Sequence, residues 1–244
     1  ACFPQDPDLM TAQARLEWRR GNTQQAITIA KQQTASHPEL VSAWHLLGTL
    51  LEQTGDLQAA DSAFNEVQQR DMTLVDALLR RASIQARWGN GEAAEWLLQQ
   101  VLRCEPDSLP ALALRAQVLL DLGRTREARI QLHACLQRDP ADSELWRLLA
   151  VALRQHSRHL VAMRWLAHAL RLAPDNIEAL RMQAWMELER GDSTKAALTV
   201  RRLLTLRPQD HAARVQAAFV FAAAGLGIAP PAGGGAVTYR VTED

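Results

Sequence analysis

The chain contains 244 residues, and its 27 basic and 27 acidic side chains give a formal net charge of zero. This balance argues against a nucleic-acid-binding protein, which would carry a basic excess. No stretch reaches the roughly 18 apolar residues that a membrane-spanning helix needs. Helix formers are abundant, and β-branched runs are rare before the last few residues, so the composition favours an all-α protein.

The N-terminal residues 1–8 form a polar, proline-containing segment that we interpret as a tether. The chain begins without Met, so we expect a processed or trimmed product. Cys2 follows Ala1, and Ala-Cys before a tether resembles the end of a bacterial lipoprotein signal. That resemblance implies acylation of Cys2, which would anchor the protein to a membrane without a spanning helix. The alternative is that Ala1 is a remnant of expression and that Cys2 has no such role.

From residue 7 onward, helix-breaking residues recur with a period of 34 residues. The glycines of this series are Gly21, Gly55, Gly89, Gly123, Gly191 and Gly225. A second series, offset by 17 residues, consists of Pro38, Pro106, Pro140, Pro174 and Pro208. Such internal repetition is typical of stacked helical hairpins. The predicted repeats are 7–40, 41–74, 75–108, 109–142, 143–176 and 177–210, with a truncated seventh from His211.

Small residues are predicted where the two helices of a repeat approach closely. Position 8 holds Ala14, Gly48, Ala82, Ala116, Ala150, Ala184 and Ala218, and position 20 holds Ala26, Ala60, Ala94, Ala128, Ala162 and Ala196. Larger apolar residues at positions 24 and 28, such as Phe64 and Leu136, are expected to fill the space between hairpins. We expect a polar residue after the turn to cap the second helix. The predicted caps are Asn22, Asp56, Asn90 and Asp192.

Trp44 and Trp146 complete the pattern at position 4, and Leu47 and Leu149 occupy position 7. With the Gly, Ala and Pro positions, they make the chain from residue 7 to about residue 224 resemble the tetratricopeptide repeat family. The resemblance implies an all-α fold, a right-handed α-solenoid of antiparallel helix pairs with six units plus a C-terminal capping helix.

We place this solenoid over residues 9–224. Arg81 and Arg115 depart from the family pattern by replacing the leucine of position 7, and Ser157 replaces a turn glycine. We expect these departures to loosen local packing without threatening the fold.

The resemblance also implies a concave groove lined by the first helix of each repeat. Positions 2, 5, 9, 12 and 13 of the family face it. The residues that we predict to bind a partner there are Arg147, Val151, Arg154, Arg181, Trp185 and Phe219. An apolar stripe flanked by guanidinium groups suits an extended or helical peptide with apolar anchors and acidic neighbours. The alternative is that Trp185 and Phe219 pack under the C-terminal cap.

Motifs for catalysis or metal binding are not evident in the sequence. It contains no nucleophile elbow, Walker loop or dinucleotide-binding glycine motif. His156 and His159 form an H-x-x-H, but no further ligand converges on them in sequence, so we expect solvated histidines and no metal. We therefore expect no enzymatic activity and no cofactor. Cys104 and Cys135 are interpreted as small residues of second helices, with a disulfide as the alternative.

The C-terminal residues 225–244 break the repeat pattern. The Gly- and Pro-rich residues 225–236 predict a flexible linker, which can reach up to about 40 Å. Val237, Tyr239 and Val241 then alternate with polar residues, as in a strand. We predict that this tail occupies a groove, either its own or a neighbour's. The alternative is a disordered terminus.

These features favour a non-enzymatic adaptor whose groove captures a protein segment. Its most specific version is an envelope lipoprotein on the periplasmic face of the bacterial outer membrane, similar to the pilotins that escort secretin subunits during secretion or pilus assembly. One alternative is a soluble cytoplasmic scaffold or chaperone. Another is an accessory domain of a larger enzyme such as a glycosyl- or sulfotransferase.

Overall fold

The computed structural model describes residues 7–155 and 159–225, and within these ranges the chain forms thirteen α-helices and no strand. The first helices of the repeats, called A helices, are α1 (Pro7–Arg19), α3 (Val41–Thr54), α5 (Val75–Arg87), α7 (Leu109–Asp121), α9 (Ser143–Gln155), α11 (Ile177–Glu189) and α13 (His211–Ala223). The second helices, called B helices, are α2 (Thr23–Ser36), α4 (Leu57–Arg70), α6 (Gly91–Cys104), α8 (Thr125–Arg138), α10 (His159–Leu172) and α12 (Ser193–Leu206).

Every A helix begins at the first residue of a predicted repeat. The chain divides into two compact units, unit 1 over residues 1–128 and unit 2 over residues 129–244. In unit 1, consecutive helices from α1 to α7 pack on one another, and in unit 2 the same holds from α9 to α13. The predicted all-α solenoid of helix pairs is confirmed. The predicted lipid anchor at Cys2, the tail residues Val237, Tyr239 and Val241, and His156 and Ser157 lie outside the described residues.

The turn glycines end the A helices because they adopt a backbone conformation that other residues avoid. Gly55, for example, has a φ of 85°, and its N–H donates to the last turn of α3. Asp56 then caps α4 by accepting a hydrogen bond from the N–H of Ala59 at 3.1 Å.

Asn22, Asn90 and Asp192 occupy the predicted N-cap positions, but their side chains make no cap hydrogen bond. Asn22 and Asn90 instead donate across the turn, to Glu17 at 2.7 Å and to Gln85 at 2.9 Å. These two side chains therefore tie the turn to the last turn of the A helix and do not cap the B helix.

Close helix approach depends on the small residues of positions 8 and 20. Ala26, Ala82 and Ala150 are fully buried, as are most of their repeat equivalents. Gly48 shows how tight the approach is, because a Cβ atom at this position would lie 2.7 Å from the ring of Phe64. Phe64 itself is completely buried, so the ring fills the space that the missing side chain leaves.

The two arginines at position 7 are held by polar groups of the preceding B helix. Arg81 donates to Asp61 at 3.2 Å and to Asn65 at 2.9 Å, and Arg115 donates to Glu95 at 3.2 Å. Glu95 is almost completely buried, at 4% exposure, and its other carboxylate oxygen accepts from Arg124. The expectation that these arginines loosen packing is wrong, because the network satisfies the buried charge where a leucine would pack.

The position-4 tryptophans fasten the loops between repeats. The indole N–H of Trp44 donates to the carbonyl oxygen of Pro38 at 2.9 Å, and that of Trp146 donates to Pro140 at 2.8 Å. The ring of Trp146 also stacks on Trp165, with centroids 4.8 Å apart and planes inclined by 25°. The same donor–acceptor pair, six residues apart, thus recurs in both units.

Both described cysteines are free thiols, so the alternative of a Cys104–Cys135 disulfide is wrong. Cys104 is exposed at the end of α6, whereas Cys135 is buried in α8, where burial raises the pKa of its thiol. None of the helices over residues 7–155 and 159–225 is long and apolar enough to cross a membrane.

Candidate functional site

A cavity of about 800 Å³ opens between α9, α11 and α13 of unit 2. We call it the unit 2 groove. Its lining consists of Arg147, Val151, Arg154, Glu178, Arg181, Met182, Trp185, His211, Ala212, Val215, Gln216 and Phe219. All six residues predicted from the sequence to bind a partner therefore line one cavity. Their role in binding stays a prediction.

The centre of the unit 2 groove is an exposed aromatic pair. The rings of Trp185 and Phe219 lie 5.5 Å apart between centroids and are tilted by 55°. Trp185 is 42% exposed, and Phe219 and the neighbouring Val215 are each 56% exposed. Trp185 thus packs against Phe219 of the capping helix α13, as the alternative expects, yet both rings keep a large exposed surface. Neighbouring exposed apolar side chains of this size are typical of an interaction surface.

Each arginine of the groove has a carboxylate close by. Arg147 donates to Glu144, Arg154 to Glu189 and Arg181 to Glu178, at 2.8, 3.3 and 3.3 Å respectively. In the pairs of Arg154 and Arg181 both partners are partly exposed, so water screens them and each contributes about 0–1 kcal/mol, whereas the side chain of Arg147 is mostly buried. A carboxylate of a bound segment can therefore replace Glu189 or Glu178 at small cost.

Glu144 is the most constrained of these carboxylates. Partial burial raises its pKa, but hydrogen bonds from Arg147 and Asn176 and the charge of Arg147 outweigh burial, so the pKa lies below its ordinary value. Glu144 therefore stays ionised at neutral pH and holds Arg147 at the edge of the groove.

Two hydrogen bonds link the A helices that line the groove. Gln216 on α13 donates to the backbone carbonyl oxygen of Arg181 on α11 at 2.9 Å. The pair of Arg154 and Glu189 joins α9 to α11 in the same way. The aromatic pair is therefore presented by helices that are tied to each other, which reduces the entropy lost on binding.

The sequence reasoning missed six of the lining residues, and the repeat frame could have identified those at positions 2 and 5 of the repeats. Val215 occupies position 5, which also holds Arg147 and Arg181, and Glu178 occupies position 2 of the groove. Met182 lies at position 6, outside the positions assigned to the groove, and no signal in the sequence marked it.

The A-helix face of unit 1 carries a different arrangement, in which charged groups bind one another. Asp76 accepts from His45 and from Arg80, both at 2.7 Å, and Arg80 also donates to Glu52 at 2.7 Å. Burial raises the pKa of Asp76, but the hydrogen bonds from Arg80 and His45 outweigh it and leave the pKa below its ordinary value. We call these four residues the unit 1 polar chain.

Trp18 of the first repeat is partly buried, donates its indole N–H to Gln53 at 2.8 Å and packs against the core of unit 1. Among the residues that the structure describes, no three His, Cys, Asp or Glu side chains converge in a way that could hold a metal ion. The chemistry available in the unit 2 groove is thus apolar contact and carboxylate binding.

Comparison with known proteins gives a family match over most of the chain. The family model described as Tetratricopeptide repeat matches residues 11–74, 114–177 and 166–211. Trafficking protein particle complex subunit 12 of Mus musculus is 28% identical over 120 residues, which is 47% of this chain. The chain spans only 15% of the length of that curated relative.

Solved structures show the same fold. A tetratricopeptide repeat protein from Parabacteroides merdae superimposes with a TM-score of 0.78 at 15% identity, covering 90% of this chain and 86% of that protein. The pilF protein of Pseudomonas aeruginosa superimposes with a TM-score of 0.66 at 16% identity, covering 88% and 96%. At these identities the likeness concerns the fold alone.

Proposed function

The chain belongs to the tetratricopeptide repeat family, and from this premise we propose that it is a non-enzymatic adaptor that captures a segment of a partner protein in the unit 2 groove. Proteins built from these repeats generally act as non-catalytic adaptors. The observation that carries the proposal is the exposed pair of Trp185 and Phe219 inside a cavity lined by arginines. Trp and Arg are the residue types that most often dominate the energy of an interface.

The chemistry of the groove defines the segment that it would take. A volume of about 800 Å³ is within the range of small-ligand pockets and accommodates several side chains. Two apolar or aromatic side chains would contact Trp185, Phe219 and Val215. One or two carboxylates beside them would replace the exposed intramolecular partners of Arg154 and Arg181.

A selection experiment tests this chemistry directly. Random peptides displayed on phage would be selected on the wild-type chain after depletion on an Arg181→Ala, Trp185→Ala double variant. We expect the recovered peptides to share two large apolar residues flanked by Asp or Glu. Recovery of peptides that bind both chains equally would overturn the groove assignment. A pull-down with the same two chains extends the test to natural partners, since equal recovery of every partner would have the same meaning.

The more specific form of the proposal is an envelope lipoprotein that is anchored through Cys2 and assists the assembly of a secretion or pilus machine, with a secretin subunit as partner. The support is the Ala-Cys sequence before a polar tether and the number of repeats. Expression of the full-length gene with a Cys2→Ser variant tests it. We expect acylation of the wild-type chain by intact mass and its recovery with outer membranes, and loss of both in the variant.

A second candidate is an accessory domain within a larger protein. The observation that favours it is the small share of the mouse relative that the chain covers. The full-length gene sequence separates the candidates, because a long C-terminal continuation would favour the accessory domain, and a plain Met start would favour a cytoplasmic scaffold. The chain's own residues 237–244 have the chemistry expected of the bound segment and are a further candidate occupant of the groove.

A further inference from the structure

We infer that residues 237–244 of the same chain dock in the unit 2 groove and act as an internal competitor of the partner. This inference rests on the proposed function, because it assigns a regulator to the same groove. The starting point is position: Gly225, the last described residue, follows α13, the helix that carries Phe219 and Val215. The residues beyond it therefore leave the described structure beside the groove.

The distances permit docking within one chain. The linker predicted over residues 225–236 contains twelve residues and reaches at most about 40 Å, with an average span of about 20 Å for a Gly-rich chain. The groove is built on three A helices, and packed helix axes lie about 8–10 Å apart. The far side of the groove at α9 is thus about 20 Å from α13. Residues 237–244 cover about 25 Å when extended, so the linker need only return residue 237 to the α13 side and the segment itself can cross to α9.

The chemistry of the segment complements the groove. In an extended segment, Val237, Tyr239 and Val241 would project to one side at intervals of about 6–7 Å. The Trp185 and Phe219 centroids are 5.5 Å apart, so successive side chains of the segment can contact successive rings. Glu243 and Asp244 follow the apolar residues.

The order of apolar and charged side chains along the groove, from α13 to α9, matches their order along the segment. Trp185 and Phe219 lie towards α13, where the segment would enter, and Arg147 and Arg154 lie on α9, at the far side. A segment that crosses from α13 to α9 would bring Glu243 and Asp244 to these arginines after its apolar residues have passed the rings.

Docking in the same chain has a predictable strength. A short flexible linker holds its segment at an effective concentration of the order of 1 mM. A segment whose isolated peptide binds with a Kd of about 100 µM would then occupy its own groove about 90% of the time. A partner would bind about tenfold more weakly than to an empty groove, so only a segment of higher affinity would displace the tail.

The full chain contains a single tyrosine, Tyr239, which supplies a specific probe. Incorporation of 3-fluorotyrosine gives one ¹⁹F signal. We expect this signal to be shifted and broadened relative to the free 237–244 peptide. In Trp185→Ala, we expect the docked fraction to fall at least about threefold, from about 90% to about 25% or less, because removal of a central aromatic anchor weakens binding about 30-fold or more. The matched control is Trp88→Ala, which removes an equally exposed tryptophan of unit 1 (42% for both) and should leave the signal docked.

A second pair of variants guards against misfolding of Trp185→Ala. Arg154→Glu should lower the docked fraction by opposing Glu243 and Asp244, whereas Arg202→Glu, an exposed charge reversal on α12, should not. A wild-type signal at the position of the free peptide would overturn the inference, as would equal signals in Trp88→Ala and Trp185→Ala. Loss of docking on about 20-fold dilution would make a second copy the occupant and overturn the internal form.

The outcomes for the tail and for the proposed function are separable. If phage-selected peptides bind the groove while the Tyr239 signal stays free, the tail inference fails and the adaptor proposal stands. If the Tyr239 signal is docked and no selected peptide depends on Trp185, the groove serves the tail alone and the adaptor proposal fails.

Discussion

The A-helix faces of the two units follow the same repeat plan but differ in character. In unit 1, Glu52, Arg80, Asp76 and His45 form the polar chain, in which each charged group binds another. In unit 2, the centre of the face is the exposed apolar pair of Trp185 and Phe219, and charges lie around it. The charged groups on the unit 1 face bind one another, whereas the unit 2 face exposes apolar side chains to solvent.

The comparison teaches that repeat position decides where a side chain lies, whereas its neighbours decide whether it can bind a partner. Position 9 holds Thr49 and Ser83 in unit 1 but Val151, Trp185 and Phe219 in unit 2. The hydroxyl of Thr49 donates to the carbonyl oxygen of His45, within its own helix. Position 9 therefore carries a hydroxyl that is bonded within its own helix in unit 1 and exposed apolar side chains in unit 2.

The largest effect is expected from removing the aromatic pair. A Trp185→Ala, Phe219→Ala double variant should bind a peptide selected on the wild-type groove about 30- to 1000-fold more weakly, a loss of about 2–4 kcal/mol. Fluorescence polarisation with the labelled peptide measures it. His45→Ala, in the unit 1 polar chain, is the contrasting variant and should change the affinity less than about twofold. A comparable loss in both variants would mean that the two faces do not differ in function.

Breaking the unit 1 polar chain should affect stability rather than binding. Asp76→Ala removes the acceptor shared by His45 and Arg80 and should lower the free energy of unfolding by about 1 kcal/mol, a modest value because Asp76 is half exposed. Urea denaturation followed by circular dichroism measures the change. Glu178→Ala in unit 2 removes a single exposed pair and should cost less than about 0.5 kcal/mol. Equal losses of unfolding free energy in Asp76→Ala and Glu178→Ala would show that the unit 1 polar chain is no more stabilising than a single exposed ion pair.

The polar chain should also respond to acid. Because the folded-state pKa of Asp76 lies below its ordinary value of 3.8, its contribution is complete above the unfolded pKa and is lost as the pH falls through the folded pKa. The stability difference between the wild type and Asp76→Asn should therefore shrink between about pH 6 and about pH 3. Urea titrations across this range test it, and a difference that grows on acidification would contradict the assigned direction.

The smallest effect is expected from releasing one arginine of the groove. Glu178→Gln removes the partner of Arg181, so an acidic selected peptide should bind about two- to threefold more tightly at low salt. The gain should disappear at about 0.5 M NaCl, where exposed charges are screened. Glu66→Gln, which removes the partner of Arg70 in unit 1, is the matched control. A gain of the same size in that control would exclude a specific role for Arg181.

The sequence was sufficient to predict the first residue of every A helix, because glycine and proline break helices locally and recur with a fixed period. It was also sufficient to bring six groove residues to one cavity, since position within the repeat determines the face. The pairs Arg147–Glu144 and Arg181–Glu178 could have been read from their three-residue spacing on a helix. The pair of Arg154 and Glu189 could not, because it depends on the distance between neighbouring A helices.

Arg81 illustrates why the remaining errors arose. A consensus position occupied by the wrong residue type suggested loose packing, yet its partners Asp61 and Asn65 lie on the preceding B helix. Their availability depends on side-chain rotamers and on how the two helices pack, and neither follows from periodicity. The missing cap hydrogen bond of Asn22 has the same origin, because its donation to Glu17 depends on the folded geometry of the turn.

The stacked indoles of Trp146 and Trp165 give unit 2 an optical property of its own. Two indoles held 4.8 Å apart with planes inclined by 25° are close enough for their electronic transitions to couple, and we expect a paired signal in the circular dichroism spectrum, separate from that of the helices. The signal depends on the packing of α9 against α10, and α9 also carries Val151 and Arg154 of the groove. Spectroscopy on the unlabelled chain can therefore follow the integrity of the helix pair that supports one side of the groove while the rest of the chain unfolds.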